Sequence, residues 1–223
     1  MLRFTFLIVL LCGALFLAGA THGPGRFLLV SADGLYVVEP DGKCSWSYTV
    51  PPLNGQNAGT FDDLVYDGWE LPNGNYLYSA HRYAREVDRA KRTVWEYRVQ
   101  GLAEVKSAIP LPNGRVAVLN SEEQAIFELE SGKVVHRIPL PAKGTLHTRY
   151  NLLRRTPDGN YLAALRAENR FVEVDRAGRI LHSYPVPSLP VVAERLRDGS
   201  TMTSGMFGLI QFDAEAKPQW TFT

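Results

Sequence analysis

Residues Trp69–Tyr97 read WELPNGNYLYSAHRYAREVDRAKRTVWEY. Short runs of alternating apolar and polar residues are broken first by Asn73-Gly74 and then by the charged segment Asp88–Arg92. The order implied is strand, turn, strand, short loop, strand, charged turn, aromatic strand. Asn-Gly and Asp-Gly pairs accept the positive φ angles of hairpin turns and so join antiparallel neighbours. The first turn returns as Asn113-Gly114, Asp158-Gly159 and Asp198-Gly199, with the glycines 40, 45 and 40 residues apart.

A second turn follows each of these at a similar offset: DRAKR from Asp88, ESGK from Glu130, DRAGR from Asp175 and DAEAK from Asp213. An acidic residue opens it and a basic one closes it. A strand carrying an aromatic or a histidine comes next, at Trp95 and Tyr97, His136, His182 and Tyr184, and Trp220 and Phe222. Asp41-Gly42-Lys43 leading to Trp46 and Tyr48 belongs to the same series with a shorter turn. Four short strands in roughly 40 residues is the period of a propeller blade. The expected fold is all-β, a β-propeller of about five four-stranded blades at roughly 25–52, 53–100, 101–141, 142–187 and 188–223. Trp46, Trp95 and Trp220 recur at one blade position, which predicts packing between adjacent blades.

The first unit holds only three candidate strands, at 27–30, 35–38 and 45–49, and lacks an innermost one. The fifth ends inside its last strand, so nothing after Thr223 supplies it. Three outcomes are open: a truncated form of a longer propeller, a ring that closes imperfectly, or completion by a second chain. An open blade edge predicts self-association or marginal stability, because unpaired ladder groups accept strands from other chains.

Met1–Ala20 has one charge, Arg3, then an apolar run from Phe4 to Leu17, then Ala18-Gly19-Ala20. This is the pattern of a secretory signal with small residues at the cleavage site. An uncleaved anchor is the alternative, although the run is short for a bilayer span. Leu11 before Cys12 does not fit a lipoprotein site. The expected location is secreted or periplasmic, with no stable membrane span after cleavage. Cys44 is then the last cysteine, which leaves no internal disulfide and no cysteine metal cluster. The 24 basic residues fall to 23 without Arg3, against 23 acidic ones. No basic stripe supports nucleic-acid binding.

LPNGNYL followed by REVDRAKRTVWEY resembles the repeats of secreted bacterial quinoprotein-like β-propellers and of arylsulfotransferase-type propellers. The resemblance covers most of residues 25–223 and is strong only in unit two. It implies a blade, and its motifs are structural. In the sulfotransferase-type pattern a histidine sits five residues before the Leu of LPNG; here that residue is Tyr66, and its unit-four equivalent is Asn151. A quinone would need cationic and stacking groups from several blades, and no such set is evident. No cofactor is expected.

The histidines are 22, 81, 136, 147 and 182. His136 and His182 fall on outer strands. No pair has the spacing of a helical metal site, and no metal is expected. Asp62, Asp63 and Asp67 precede and enter the inner strand of unit two, where carboxylates can hold a hard cation, do acid–base work or cap turns. There is no calcium loop and no phosphate loop. A ligand site in a ring of blades belongs at the mouth of its channel. Its expected contributors are Asp62, Asp63, Asp67, Trp69, His147, Arg149, Tyr150, Arg154 and Glu194. Trp69, Ile109, Arg154 and Glu194 occupy one blade position, and their variation points away from pure packing. The expected function is a binding or scaffold propeller for a protein, small-molecule or carbohydrate partner, with no catalytic constellation evident. The alternatives are a sulfotransferase-like or other transferase or hydrolase relative, with His147 and Asp62/Asp63 as its only candidates, and a quinone-binding redox fragment.

Overall fold

A computed structural model of the chain describes residues 25–51, 64–100 and 103–223. Five antiparallel sheets follow one another along the chain. Blade 1 holds β1 (Phe27–Ser31), β2 (Gly34–Val38) and β3 (Cys44–Thr49). Blade 2 holds β4 (Val65–Glu70), β5 (Tyr76–Ala80), β6 (Tyr83–Val87) and β7 (Thr93–Arg98). Blade 3 holds β8 (Val105–Pro110), β9 (Val116–Asn120), β10 (Ala125–Glu130) and β11 (Lys133–Pro139). Blade 4 holds β12 (Tyr150–Arg155), β13 (Tyr161–Leu165), β14 (Arg170–Val174) and β15 (Ile180–Pro185). Blade 5 holds β16 (Pro190–Arg195), β17 (Thr201–Gly205), β18 (Gly208–Phe212) and β19 (Pro218–Phe222). The architecture is a five-blade β-propeller. Blades 2 to 5 are four-stranded and blade 1 is three-stranded among the described residues.

Turn chemistry sets the repeat. Gly74, Gly114, Gly159 and Gly199 all carry φ between 76° and 92°, a region closed to most side chains. The loop is wider than a two-residue hairpin: Gly74 N–H donates to the Leu71 carbonyl at 2.9 Å, and Leu71 N–H to the Asn75 carbonyl at 2.8 Å. In the second turn, the Asp88 carboxylate accepts from Arg92 N–H at 2.9 Å and from its Nε at 2.7 Å. Asp175 and Arg179 repeat both bonds. The acidic and basic ends of that motif therefore close the turn on each other.

Middle strands are buried on both faces, and their alternation divides them between two seams. In β5, Tyr76, Tyr78 and Ala80 pack towards blade 1, while Leu77 packs towards blade 3. In β9, Val116 and Val118 face blade 2, while Ala117 and Leu119 face blade 4. In β13, Tyr161, Ala163 and Leu165 face blade 3, while Leu162 and Ala164 face blade 5. Trp46 stacks on Tyr76 across the first seam with ring centroids 3.8 Å apart. Trp95 packs on the seam between blades 2 and 3 and donates its indole N–H to Glu86 at 2.6 Å. The expectation for the third tryptophan is corrected. Trp220 is 47% exposed on β19, where it stacks on Phe222 of its own strand. The seam clusters lie between blades 1 and 2, 2 and 3, 3 and 4, and 4 and 5. Cys44 is exposed at the start of β3. Among the described residues no helix is long and apolar enough to cross a membrane.

Candidate functional site at the channel mouth

Each inner strand begins beside the end of the next strand, as Val65 pairs with Ala80 and Val105 with Asn120. The starts of β4, β8 and β12 therefore share one face of the ring with the β5–β6 and β9–β10 hairpins. Every inner strand also slips register by one residue just inside this face. The slip falls between Val65 and Asp67, Val105 and Ser107, Tyr150 and Leu153, and Pro190 and Val192. Such bulges re-aim a side chain and are frequent beside functional sites. The bulged residues of blades 2 and 3 are Tyr66 and Lys106, and both reach into one polar cluster.

Glu104 stands at its centre, just before β8, and is fully buried. Its Oε1 lies 3.2 Å from His81 Nε2 and contacts His147 Nδ1. Its Oε2 lies 2.5 Å from Lys106 Nζ. Neither oxygen has a partner of regular hydrogen-bond geometry among the described residues. The Tyr66 hydroxyl and His81 Nδ1 are 2.8 Å apart, and the Lys106 ammonium sits 4.7 Å from the Tyr66 ring centroid. His81 and Lys106 are almost wholly buried, whereas the His147 side chain is 65% exposed.

Local backbone bonds fix this arrangement. Val105 N–H donates to the His81 carbonyl at 2.9 Å, which holds the blade-2 hairpin against the start of β8. Glu104 N–H donates to Ser121 Oγ and Ser121 N–H donates to the Glu104 carbonyl, both at 3.0 Å. Arg149 joins Ser121 to the His147 loop by donating to the carbonyls of Ser121 and Gly144. Within that loop Thr145 N–H donates to Thr148 Oγ1 at 3.0 Å.

The expected site residues separate into two groups. Asp67, Trp69, Arg154 and Glu194 meet inside the channel, below the mouth. Arg154 Nη1 donates to Asp67 Oδ2 at 2.7 Å and its Nε to Glu194 Oε1 at 2.8 Å. Ser107 Oγ donates to Asp67 Oδ2 at 2.6 Å, and the guanidinium lies 5.0 Å from the Trp69 ring centroid. The Trp69 indole N–H is buried without a hydrogen-bond partner among the described residues. The Glu194 side chain is half exposed, yet desolvation in the channel pushes its carboxyl above the ordinary range, a rise that Arg154 opposes. His147 and Arg149 are at the mouth, Arg149 as a clamp. Tyr150 is placed otherwise than expected: it is fully buried in the seam between blades 3 and 4 and turns its hydroxyl to the Leu140 carbonyl. Asp62 and Asp63 lie outside the described residues.

Glu104, Lys106, Tyr66 and His81 were not among the expected site residues. The expectation of no histidine metal set rested on helical spacing; here a hairpin and two crossovers bring His81, Glu104 and His147 together. One signal was present in the sequence: Tyr66 and Lys106 both stand eight residues before the glycine of their turn, at Gly74 and Gly114.

No family profile and no curated protein matches the chain. Solved structures do. A protein of unknown function from Bacteroides caccae superposes with a TM-score of 0.74 at 19% identity, covering 86% of this chain and 71% of that one. A streptogramin B lyase gives 0.67 at 14% identity, covering 89% and 65%. A catalytically inactive histidine-to-alanine variant of virginiamycin B lyase from Staphylococcus aureus, solved with quinupristin, gives 0.65 at 15% identity, covering 87% and 69%. The chain thus spans about two thirds of the lyases' length, and at these identities what it shares with all three is the β-propeller fold.

Proposed function

We propose that the protein is a small-molecule-binding propeller whose ligand site is the mouth shared by blades 2, 3 and 4. The observation that carries this reading is Glu104, a fully buried carboxylate held among His81, His147 and Lys106. Taking such charges out of water costs several kcal/mol per ion, and an apolar replacement is often no less stable. The seam beside it is apolar, so packing alone does not call for this cluster. Buried carboxylate, ammonium, imidazole and phenol at the end of a channel are suited to a small polar molecule. The leader-like first twenty residues support a place of action outside the cytoplasm.

Ligand-observed NMR against a panel of small carboxylates, amines and sugars tests the reading. Bound compounds should be lost in His147→Ala and retained in His182→Ala, with both variants folded by circular dichroism. A panel without hits, or hits indifferent to His147, would sink it.

A second reading has its own observation. His147 is exposed at one end and held through Nδ1 by a buried carboxylate at the other, the arrangement that orients a general base. The same fold carries lyases, one of which is inactive when a histidine is replaced. On this reading the ligand is a substrate, and turnover in wild-type protein should disappear in His147→Ala while binding of the compound persists. Turnover unchanged in that variant excludes it.

A further inference from the structure

One donor atom each of His81, Glu104 and His147 lies within 4.8 Å of the other two, and His81 Nε2 and His147 Nδ1 both face Glu104 Oε1. Three side chains from three separate segments thus point their donor atoms at one small volume. We propose that this volume is a binding site for a borderline divalent transition ion such as Zn²⁺ or Co²⁺, with His81, Glu104 and His147 as ligands. The proposal rests on the mouth being the working site and adds what is held there.

The donor set fits such an ion. Two imidazoles and one carboxylate form one of the three-ligand sets that hold zinc with a further position open. Imidazole donors favour zinc, cobalt, nickel and copper over magnesium and calcium, which take oxygen ligands. Glu104 supplies the independent sign: it is fully buried, and among the described residues its Oε1 lacks a regular hydrogen bond while facing both histidines.

The surrounding groups also match what a metal requires. A ligating histidine donates its other ring N–H to a partner, which fixes its tautomer and orientation. His81 presents Nε2 to the cluster, and its Nδ1 lies 2.8 Å from the Tyr66 hydroxyl. With the proton on Nδ1 donated to Tyr66, the Nε2 lone pair is available. Lys106 lies 2.5 Å from Oε2 and so holds the second carboxylate oxygen, leaving Oε1 to bind in monodentate fashion. One carboxylate against a divalent ion and the Lys106 ammonium leaves the site net positive. With the exposed His147 marking the open side, the favoured incoming ligand is one with an anionic or carbonyl oxygen.

The experiment is a titration of the chelator-stripped full chain with Zn²⁺ by calorimetry and with Co²⁺ by visible absorption. One ion should bind per chain, and the cobalt form should show the ligand-field bands of a low-coordinate site. His147→Gln, on an exposed loop, should weaken affinity by about 100-fold, and Tyr66→Phe by about 10-fold as an outer partner. His136→Gln and His182→Gln should leave it unchanged. Affinity should fall as the histidines become protonated in acid. Absence of a bound ion, or binding indifferent to both His147→Gln and Tyr66→Phe, overturns the proposal. Screening small molecules against the stripped protein separates the two readings. Organic ligands lost in His147→Ala without any metal binding leave the mouth standing and remove the metal. A bound ion without organic ligands does the reverse.

Discussion

Arg154 on the inner strand of blade 4 reaches past blade 3 to Asp67 on that of blade 2, with Nη1 2.7 Å from Oδ2 and Nη2 3.3 Å from Oδ1. Both side chains are at most 5% exposed. Ser107 of the intervening blade donates to the same carboxylate at 2.6 Å, and Arg154 also donates to the Leu153 carbonyl at 2.7 Å. Three inner strands are therefore tied by one ion pair 87 residues apart in sequence. The bidentate guanidinium fork suits that span better than a lysine point charge.

Removing one partner of a buried pair leaves the other charged and desolvated, which typically costs about 3–5 kcal/mol. Arg154→Met should accordingly lower the unfolding free energy by that amount in urea titration. Adding Asp67→Asn should restore a large part of the loss, because the stranded charge is then gone. Equal instability of the single and double variants would show that Arg154 contributes packing against Trp69 rather than charge compensation.

Glu194, the third member, has the opposite pH character to carboxylates such as Glu128 and Glu168. Desolvation in the channel raises its pKa in the folded ring despite Arg154 and a side chain that is half exposed, so the folded state holds a proton somewhat more tightly than the unfolded chain. A raised folded pKa means that stability falls as pH increases from the ordinary glutamate value through the folded one. Glu194→Gln should remove this slope. Above the folded pKa the variant should melt no lower than wild type, since the amide oxygen still accepts from Arg154 Nε. Melting temperatures from pH 4 to 8, a range spanning ordinary glutamate titration, would show parallel curves if the group carries no such linkage.

Glu128 works the other way. It lies buried on β10, where burial pushes its pKa up but the Arg176 guanidinium and Tyr161 hydroxyl of blade 4 outweigh that and hold it below the ordinary range. Arg176 Nε is 2.7 Å from Oε1, and Tyr161 donates to the same oxygen at 2.9 Å. A depressed folded pKa contributes stability above the unfolded value, and this is lost as pH falls through the folded one. Glu128→Gln should therefore be less stable than wild type at neutral pH, with the gap closing in acid. A gap that persists undiminished below about pH 3, under the ordinary glutamate range, would assign the loss to packing of the seam.

The blade period was legible because its signals are local. Leu71–Asn75 and Asp88–Arg92 build their turns from residues within five positions of one another, and the two turns repeat. The two-faced burial of β5 and β9 follows from period-two alternation once the blade is known. The channel group was partly legible too, since Trp69, Arg154 and Glu194 share one offset from their turn glycines. The mouth cluster was not. His81, Glu104 and His147 stand at three different offsets, on a hairpin and two crossovers, and only the stacking of blades brings them together. Lys106 and Tyr66 reach them through bulges, and a bulge has no residue signature in these strands: the bulged positions hold Tyr66, Lys106 and Val191 in blades 2, 3 and 5.

Trp95 and Trp220 share a blade position but not a neighbour, and this difference should be measurable. Trp95 packs against the apolar seam shared with blade 3, lies against the backbone around Gly132 and donates to Glu86 at 2.6 Å. Truncation there removes apolar contact and leaves the buried Glu86 carboxylate short of a donor, although Asn73 and Asn75 still reach it. Because Trp95 is only partly buried, the loss for Trp95→Ala should be about 2–4 kcal/mol, at or below the usual range for a buried aromatic. Trp220 is 47% exposed and Phe222 62% exposed, and β19 is exposed along its whole length. Trp220→Ala should therefore cost less than about 1 kcal/mol, near the range of ordinary surface substitutions. Urea denaturation of the two variants side by side decides the matter. A Trp220→Ala loss as large as that of Trp95→Ala would mean that β19 has a packing partner in solution, and the exposed face of blade 5 would have to be redrawn as a seam.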